Sequence, residues 1–337
     1  MITVFAGRLM EAIPTLGLVL LMVFGLTRLI PGDPAVMLLG PDATNAQIVA
    51  LHHELHLDAP SYVQFGTYLS HLFRGDLGVS LRTGRPVREA LELYLPATIE
   101  LAIVALCFAL SVGVPLGLLA ARKPNGMADF IVQLYALCGV CIPTFLLAFG
   151  FQMMLGAKLH WLPVAGRGSA FVFNEPPTGF AFFHAIFTGH LHEAVDLGTH
   201  IFLPAIVLGT FLTATLARFL RNTMIEALSA DYIMTAKAKG LRPTQILLFH
   251  AFPNAIGPAI MVLGVQFGDM LGGAILTETV FSWPGIGRYM FEAIQTRDYV
   301  AIQSTTLVFA IIFMSVSLCA DFLNSLIDPR LRIRRSS

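Results

Sequence analysis

The chain has 337 residues, of which 56% are hydrophobic and only 12% charged, and its mean hydropathy is +0.74. So little polar surface cannot cover a water-soluble domain of this size, and a membrane class is expected. The formal net charge of zero gives neither a nucleic-acid backbone nor an acidic partner anything to bind by bulk charge.

A bilayer-spanning helix needs about 20 mostly apolar residues. Stretches 9–30, 98–121, 130–157, 201–220, 255–277 and 302–326 meet that length and predict six transmembrane helices. The first has a single Arg8 ahead of it and no small-x-small cleavage site behind it, so it reads as an uncleaved helix rather than a signal peptide. Between the first two spans, "NAQIVALHHEL" and "PVREALELY" read as short helices in a polar segment from 31 to 97. A second long segment, 158–200, is rich in Gly, Pro and Phe. Loops this long are usually functional or disordered.

The polar intervals alternate between the two faces of the membrane. Arg122, Lys123, Arg221, Lys237, Lys239, Arg242 and the arginines of the tail crowd short segments on one face. On the other face the basic residues are spread over about twice the length and mixed with carboxylates. The positive-inside rule then places both termini in the cytoplasm. Cys138 and Cys141 form a C-x-x-C, but like Cys107 and Cys319 they lie in apolar runs and read as small hydrophobes. His52 and His56 stand one helical turn apart, yet "HELH" is one residue short of the H-E-x-x-H zinc pattern. His184, His190, His192 and His200 read as solvated loop residues, and no metal-ligand set is assigned.

One cytoplasmic stretch, "DYIMTAKAKGLRPTQILLFHAFPNA" from Asp231 to Ala255, is polar where its neighbours are apolar. Ser229 or Asp231 can cap a short helix that ends near Lys237 and Lys239, with Gly240 at the left-handed C-terminal position. Pro243 suits the first turn of a second helix, and Pro253 kinks the entry into the fifth span. Such a corner can be a bare loop, a lipid-surface helix or a docking element. The small residues Ala236, Ala238 and Gly240 favour docking, since they let another surface approach.

In the fifth span, Gly264, Gly268 and Gly272 recur every four residues and form a small-residue stripe for helix packing. Gln266 and Asp269 fall on the other side of that helix. A carboxylate at membrane depth faces a bundle interior or water, so Asp269 either lines a pathway or bonds to a neighbouring helix. Gln133 in the third span is a further pathway candidate; Gln152 and Thr213 are weaker ones.

Several stretches resemble one family. The spacing of Thr235-Ala236, Gly240 and Pro253 is similar to the EAA-type cytoplasmic loop of ABC-importer permeases, with Met234-Thr235-Ala236 standing for Glu-Ala-Ala and Phe252-Pro253 for Leu-Pro. "IPGDP" (30–34), "RGDLGVS" (74–80), "LPATIELA" (95–102), "ILTETVFSWPGIGR" (275–288) and "DPRLR" (328–332) resemble the dipeptide/oligopeptide/nickel permeases, in the same order and nearly end to end.

The resemblance implies a type I ABC-importer permease fold, with a first helix and external region (1–94), a five-span core (95–326) carrying the coupling loop 221–254, and a basic tail (327–337). It implies that Tyr232, Thr235, Ala236, Lys239, Gly240 and Leu241 meet an ATPase subunit. The expected partners are a second homologous permease, two cytoplasmic ATPases, a periplasmic solute-binding protein and the lipid of a bacterial inner membrane. No G-x-x-x-x-G-K-[ST] occurs in the chain, so ATP and Mg are expected on the partners and no cofactor on this chain. The "SWPGIGR" turn is expected to close the pore from outside, with Gly285 and Gly287 as permissive backbone. The cargo reading is di- or oligopeptides. Nickel or a metal chelate is the nearest alternative, and an ion-driven transporter with Asp269 as proton site is a different class.

Overall fold

The computed structural model describes residues 2–29, 34–39, 43–54, 58–169 and 179–327. Among these there is no strand, only an isolated bridge between Val79 and Pro86. The helices are α1 (Ile2–Leu29), α2 (Pro34–Leu39), α3 (Asn45–Glu54), α4 (Ser61–Phe73), α5 (Val87–Arg122), α6 (Met127–Cys141) and α7 (Thr144–Phe151). There follow α8 (Ala181–Phe187), α9 (Leu191–Ser229), α10 (Asp231–Ala238), α11 (Pro243–Gln245), α12 (Phe252–Val280), α13 (Ile286–Gln295) and α14 (Tyr299–Ile327). A π-helical stretch at Gln152–Lys158 extends α7, and another at Ile246–Ala251 joins α11 to α12.

The axis of the fold is α9, against which α5 lies along most of its length. On α5 the buried positions Ala97, Leu101, Ala105, Ala109, Gly113, Gly117 and Ala121 recur every four residues. All but one are small, so the two backbones come close, as packing between apolar helices requires. A Cβ on Gly117 would lie 3.1 Å from the Ala217 carbonyl oxygen, and one on Gly209 2.8 Å from that of Ala105. The same helix α9 also packs on α12, and α14 packs on α12. Near the C-terminal end of α1, Phe24 is buried against Phe65 and Tyr68 of α4, with ring centroids 5.2 and 6.1 Å away.

Four described stretches are long and apolar enough to cross a bilayer alone: Val87–Arg122, Leu191–Ser229, Pro243–Gly268 and Tyr299–Leu323. The expected third span, 130–157, is not one helix. Its two halves, Met127–Cys141 and Thr144–Lys158, are bent by 104° and would make a fifth span as a pair. The bend has a local cause. Pro143 cannot donate to the Gly139 carbonyl, and it holds the preceding Ile142 at φ −80°, ψ 120°. In α1 the apolar stretch among described residues is Ile13–Leu26.

"NAQIVALHHEL" does fold as α3. By contrast, "PVREALELY" is not a separate external helix but the first two turns of α5. "IPGDP" up to its last residue, "DPRLR" and the basic tail lie outside the described residues, as do the side chains of His52 and His56.

Candidate functional site

The polar corner is two helices meeting at a glycine. Asp231 opens α10 and favours its positive end, but neither it nor Ser229 is the cap. The extended residue is Ala230 (ψ 151°), and the Ser229 hydroxyl turns back to the Glu226 carbonyl. At the other end Gly240 takes φ +75°. Its N–H donates to the Lys237 carbonyl at 3.0 Å, and Leu241 N–H donates to the Ala236 carbonyl at 3.4 Å. This is a Schellman closure, whose left-handed residue is normally glycine. Arg242 (ψ 146°) then caps α11, whose first residue is Pro243.

Faces of α10 are sharply divided. Ile233 and Ala236 are buried among Leu220, Met224, Ile246, Ala251 and Ala255. Tyr232, Met234, Thr235, Lys237, Ala238, Lys239 and Gly240 are exposed, and Leu241 is half-buried. The small size of Ala236 therefore serves the seating of α10 on its own bundle, which corrects the expectation that it opens room for another surface. Asn254 Nδ2 lies 3.4 Å from the Tyr232 hydroxyl and ties the corner to α12.

Close to the corner, Asp129 at the start of α6 is fully buried, and both its oxygens are held by Arg221 of α9. The Nε and Nη2 distances are 2.8 and 2.7 Å, a bidentate fork. Asn125 N–H (2.8 Å) and Gln133 Nε2 (2.9 Å) donate to the same carboxylate. Gln133 itself stands on the exposed face of α6.

In α12, Gly264 and Gly268 meet α14: a Cβ on either would lie 2.5 Å from Ala320 or Phe313, respectively. Gln266 is half-buried, and its Nε2 donates to Thr215 of α9 at 3.3 Å. It lines a cavity of about 380 Å³ between α12 and α14, together with Gly264, Ser317, Ala320 and Asp321. The Asp269 side chain and Gly272 lie outside the described residues.

At the opposite end from the corner, the chain builds a lock that the sequence reading missed. Glu278, near the end of α12, is fully buried. It accepts from Thr98 Oγ1 of α5 at 2.6 Å, from Arg288 N–H at 2.9 Å, and from Gly287 N–H. Thr98 Oγ1 in turn accepts from Ile286 N–H at 2.9 Å. Trp283 Nε1 donates to the Ala97 carbonyl at 3.0 Å. The "SWPGIGR" turn is thus wrapped around one carboxylate and pinned to the N-terminal end of α5.

The glycines of that turn have a different reason from the one expected. Gly285 is extended (φ −111°, ψ 174°) and Gly287 lies inside α13, so neither needs a left-handed backbone. A Cβ on Gly285 would collide with the Glu278 carboxylate, and one on Gly287 would lie 2.8 Å from it.

Two further buried contacts complete this end. Arg167, from the segment after α7, donates to Glu100 Oε2 at 2.6 Å and stands 5.9 Å over the Trp283 ring. Asp298 accepts from Ser80 Oγ at 2.5 Å and from Ala301 N–H at 3.1 Å. This holds the "RGDLGVS" loop, where Gly78 takes φ +81° against Val300. The Gly78 N–H and the His71 ring hold the Asp76 carboxyl below the usual carboxylate range. Burial pushes the Tyr289 phenol, stacked on Tyr94, up to about 12. Among the described residues no group of three His, Cys, Asp or Glu side chains could hold a metal ion.

The fold and these two ends define a multi-pass helical membrane protein with an exposed polar elbow at one end of the bundle and a hydrogen-bonded lock at the other. Two family descriptions match the sequence: the N-terminal membrane component of binding-protein-dependent transport systems over residues 1–102, and the inner membrane component of those systems over 113–333. The chain belongs to the family of binding-protein-dependent transport system inner membrane components.

It is 44% identical over 328 residues to the dipeptide transport system permease protein DppB of Alkalihalophilus pseudofirmus, covering 96% of this chain and 98% of that one. It is 40% identical over 336 residues to the di/tripeptide transport system permease protein DppB of Pseudomonas aeruginosa, covering 99% and 100%. It is 35% identical over 328 residues to the glutathione transport system permease protein GsiC of Salmonella choleraesuis, covering 97% and 98%.

Proposed function

We propose that this chain is the permease subunit of an ABC importer that carries di- and oligopeptides across the bacterial inner membrane. The observation that carries this reading is end-to-end similarity to permeases named for dipeptides and di/tripeptides. In this reading the chain crosses the membrane six times in the type I permease fold, with α1 and the bent α6–α7 pair as two of the spans and both termini in the cytoplasm. It pairs with a second homologous permease. Two cytoplasmic ATPase subunits bind ATP and Mg and hydrolyse it, and a periplasmic binding protein delivers the cargo.

The exposed face of α10, with Tyr232, Thr235, Lys239 and Gly240, seats in the ATPase, while Ala236 and Leu241 hold α10 to its own bundle. Displacement of that corner reaches α9 and α5 through the apolar cluster around Ile233. At the periplasmic end it meets the lock around Glu278. Cargo passes along a route that includes Gln266 and Asp269 and is completed by the second permease, while Gln133, its amide given to Asp129, stays off that route.

The test is gentle purification of the tagged chain from native membranes with mass spectrometry of every partner, followed by uptake in proteoliposomes. ATP-dependent uptake of labelled dipeptide by a complex holding ATPases and a second permease is the expected result. Uptake of Ni²⁺ but not dipeptide would overturn the cargo reading. Uptake driven by a proton gradient by the chain alone would overturn the importer and return Asp269 as a proton site.

A further inference from the structure

A groove at the corner end of α6 and α9 has a composition that the transport reading leaves unused. It has a volume of about 550 Å³ and is lined by Asn125, Asp129, Phe130, Gln133, Leu134 and Arg218, among others. Arg218 is exposed on α9, one turn deeper in the bundle than Arg221, and makes no ion pair among the described residues. The carboxylate in the groove does not compete for it. Asp129 is fully buried, with both oxygens held by Arg221. Arg122, the last residue of α5, and Lys123 just after it are exposed and adjoin in sequence the groove residue Asn125. With Asp129 paired to Arg221, Arg218 is, among the described residues, the unpaired charge that lines the groove.

The wall above it is apolar. Phe130 (63% exposed) and Leu134 (49%) stand one helical turn apart on α6, with Leu137 of the same face continuing the wall deeper. A cation low in a groove, basic residues adjoining it in sequence and an apolar track running from it match the two parts of a phospholipid. Basic pockets between helices on the cytoplasmic side hold anionic headgroups, and a long arginine side chain reaches the headgroup level while its stem stays in the apolar layer.

We propose that this groove binds one anionic phospholipid of the inner leaflet. Arg218 pairs with the lipid phosphate, Asn125 stands at the headgroup, and an acyl chain lies over Phe130 and Leu134. The inner-leaflet assignment rests on the orientation given above.

The experiment uses the assembled complex. Native mass spectrometry counts retained phosphatidylglycerol and phosphatidylcholine on the wild-type, Arg218→Gln and Arg218→Lys complexes. Phosphatidylglycerol should be retained by the wild type and phosphatidylcholine should not. Arg218→Gln should weaken retention roughly tenfold, and Arg218→Lys should restore part of it. A photo-crosslinking residue at Leu134, with Arg218 intact, should capture phosphatidylglycerol. Capture of the second permease instead, or equal retention of both lipids, overturns the proposal. Labelling of Asn125→Cys, with Cys107, Cys138, Cys141 and Cys319 each changed to Ser, from one side of sealed vesicles reads the orientation separately, so a reversed topology is told apart from an empty groove.

Discussion

Arg167 and Glu100 form a salt bridge at 2.6 Å, with side chains 7% and 0% exposed, across 67 positions of sequence. Arg167 also donates to the Gly179 carbonyl at 2.6 Å, and Phe183 N–H donates to Glu100 at 3.2 Å. One carboxylate on α5 therefore gathers Arg167, Gly179 and Phe183 around it. A buried pair adds little over an apolar pair of the same shape, but removing one partner strands the other. Glu100→Gln should destabilise the protein by about 3–5 kcal/mol, read as a lower thermal unfolding midpoint in detergent. The double variant Glu100→Leu with Arg167→Met should recover most of that loss. A single variant as stable as wild type would sink this assignment.

The lock makes a prediction about a methyl group. Gly285→Ala drives a Cβ into the Glu278 carboxylate and should cost about 1–3 kcal/mol by overpacking. It should also raise protease sensitivity of the segment around α13. Combining it with Glu278→Ala should relieve part of the damage, whereas two independent losses would simply add. Additive loss would show that the close approach is not the reason for glycine there.

At the corner, the two faces of α10 should respond differently. Lys239→Glu and Tyr232→Ala change exposed residues. They should leave the folded yield near wild type and lower ATP-driven uptake severalfold. Ala236→Glu buries a charge in the cluster around Ile233 and should lower the folded yield itself. Gly240→Ala, forced to φ +75°, should cost about 1 kcal/mol. Normal uptake with Lys239→Glu and Tyr232→Ala together would rule out the exposed face as the docking surface.

Substitution on the α5 stripe should act on the bundle as a whole. Gly113→Leu and Gly117→Leu place a large side chain where a Cβ alone would lie 3.2 or 3.1 Å from a carbonyl oxygen of α9. Each should reduce the yield of folded protein far more than Gly150→Leu, where nothing lies within 4 Å. Equal yields would contradict the backbone-to-backbone packing.

Much of this was legible along the chain, because length, apolar runs and Gly-Pro spacing are local signals. The C-terminal turn at Gly240 and the first-turn position of Pro243 follow from backbone rules alone. The bend at Pro143 was not separable by such rules. Pro96, Pro115, Pro204 and Pro258 also lie in apolar helices, and those helices continue through them. Glu100 and Glu278 read as ordinary polar interruptions of apolar runs, since their partners lie 67 and 180 positions away. The four-residue spacing from Ala97 to Ala121 was available all along, by the same logic as the glycines of α12. The inward face of Ala236 depends on how α10 packs, which no local pattern carries.

The stripe on α5 also bears on how force travels. Where large side chains interlock, a helix pair can give by hopping between rotamers, and motion at one end is absorbed before it reaches the other. Where alanine and glycine bring backbone against backbone, that slack is missing. From Ala97 to Ala121 the contact runs about 36 Å at the usual rise per residue. Over that distance close backbone contact makes α5 and α9 a single strut. On the coupling proposed above, a push at the elbow would reach the lock through this strut instead of being taken up by side-chain rearrangement.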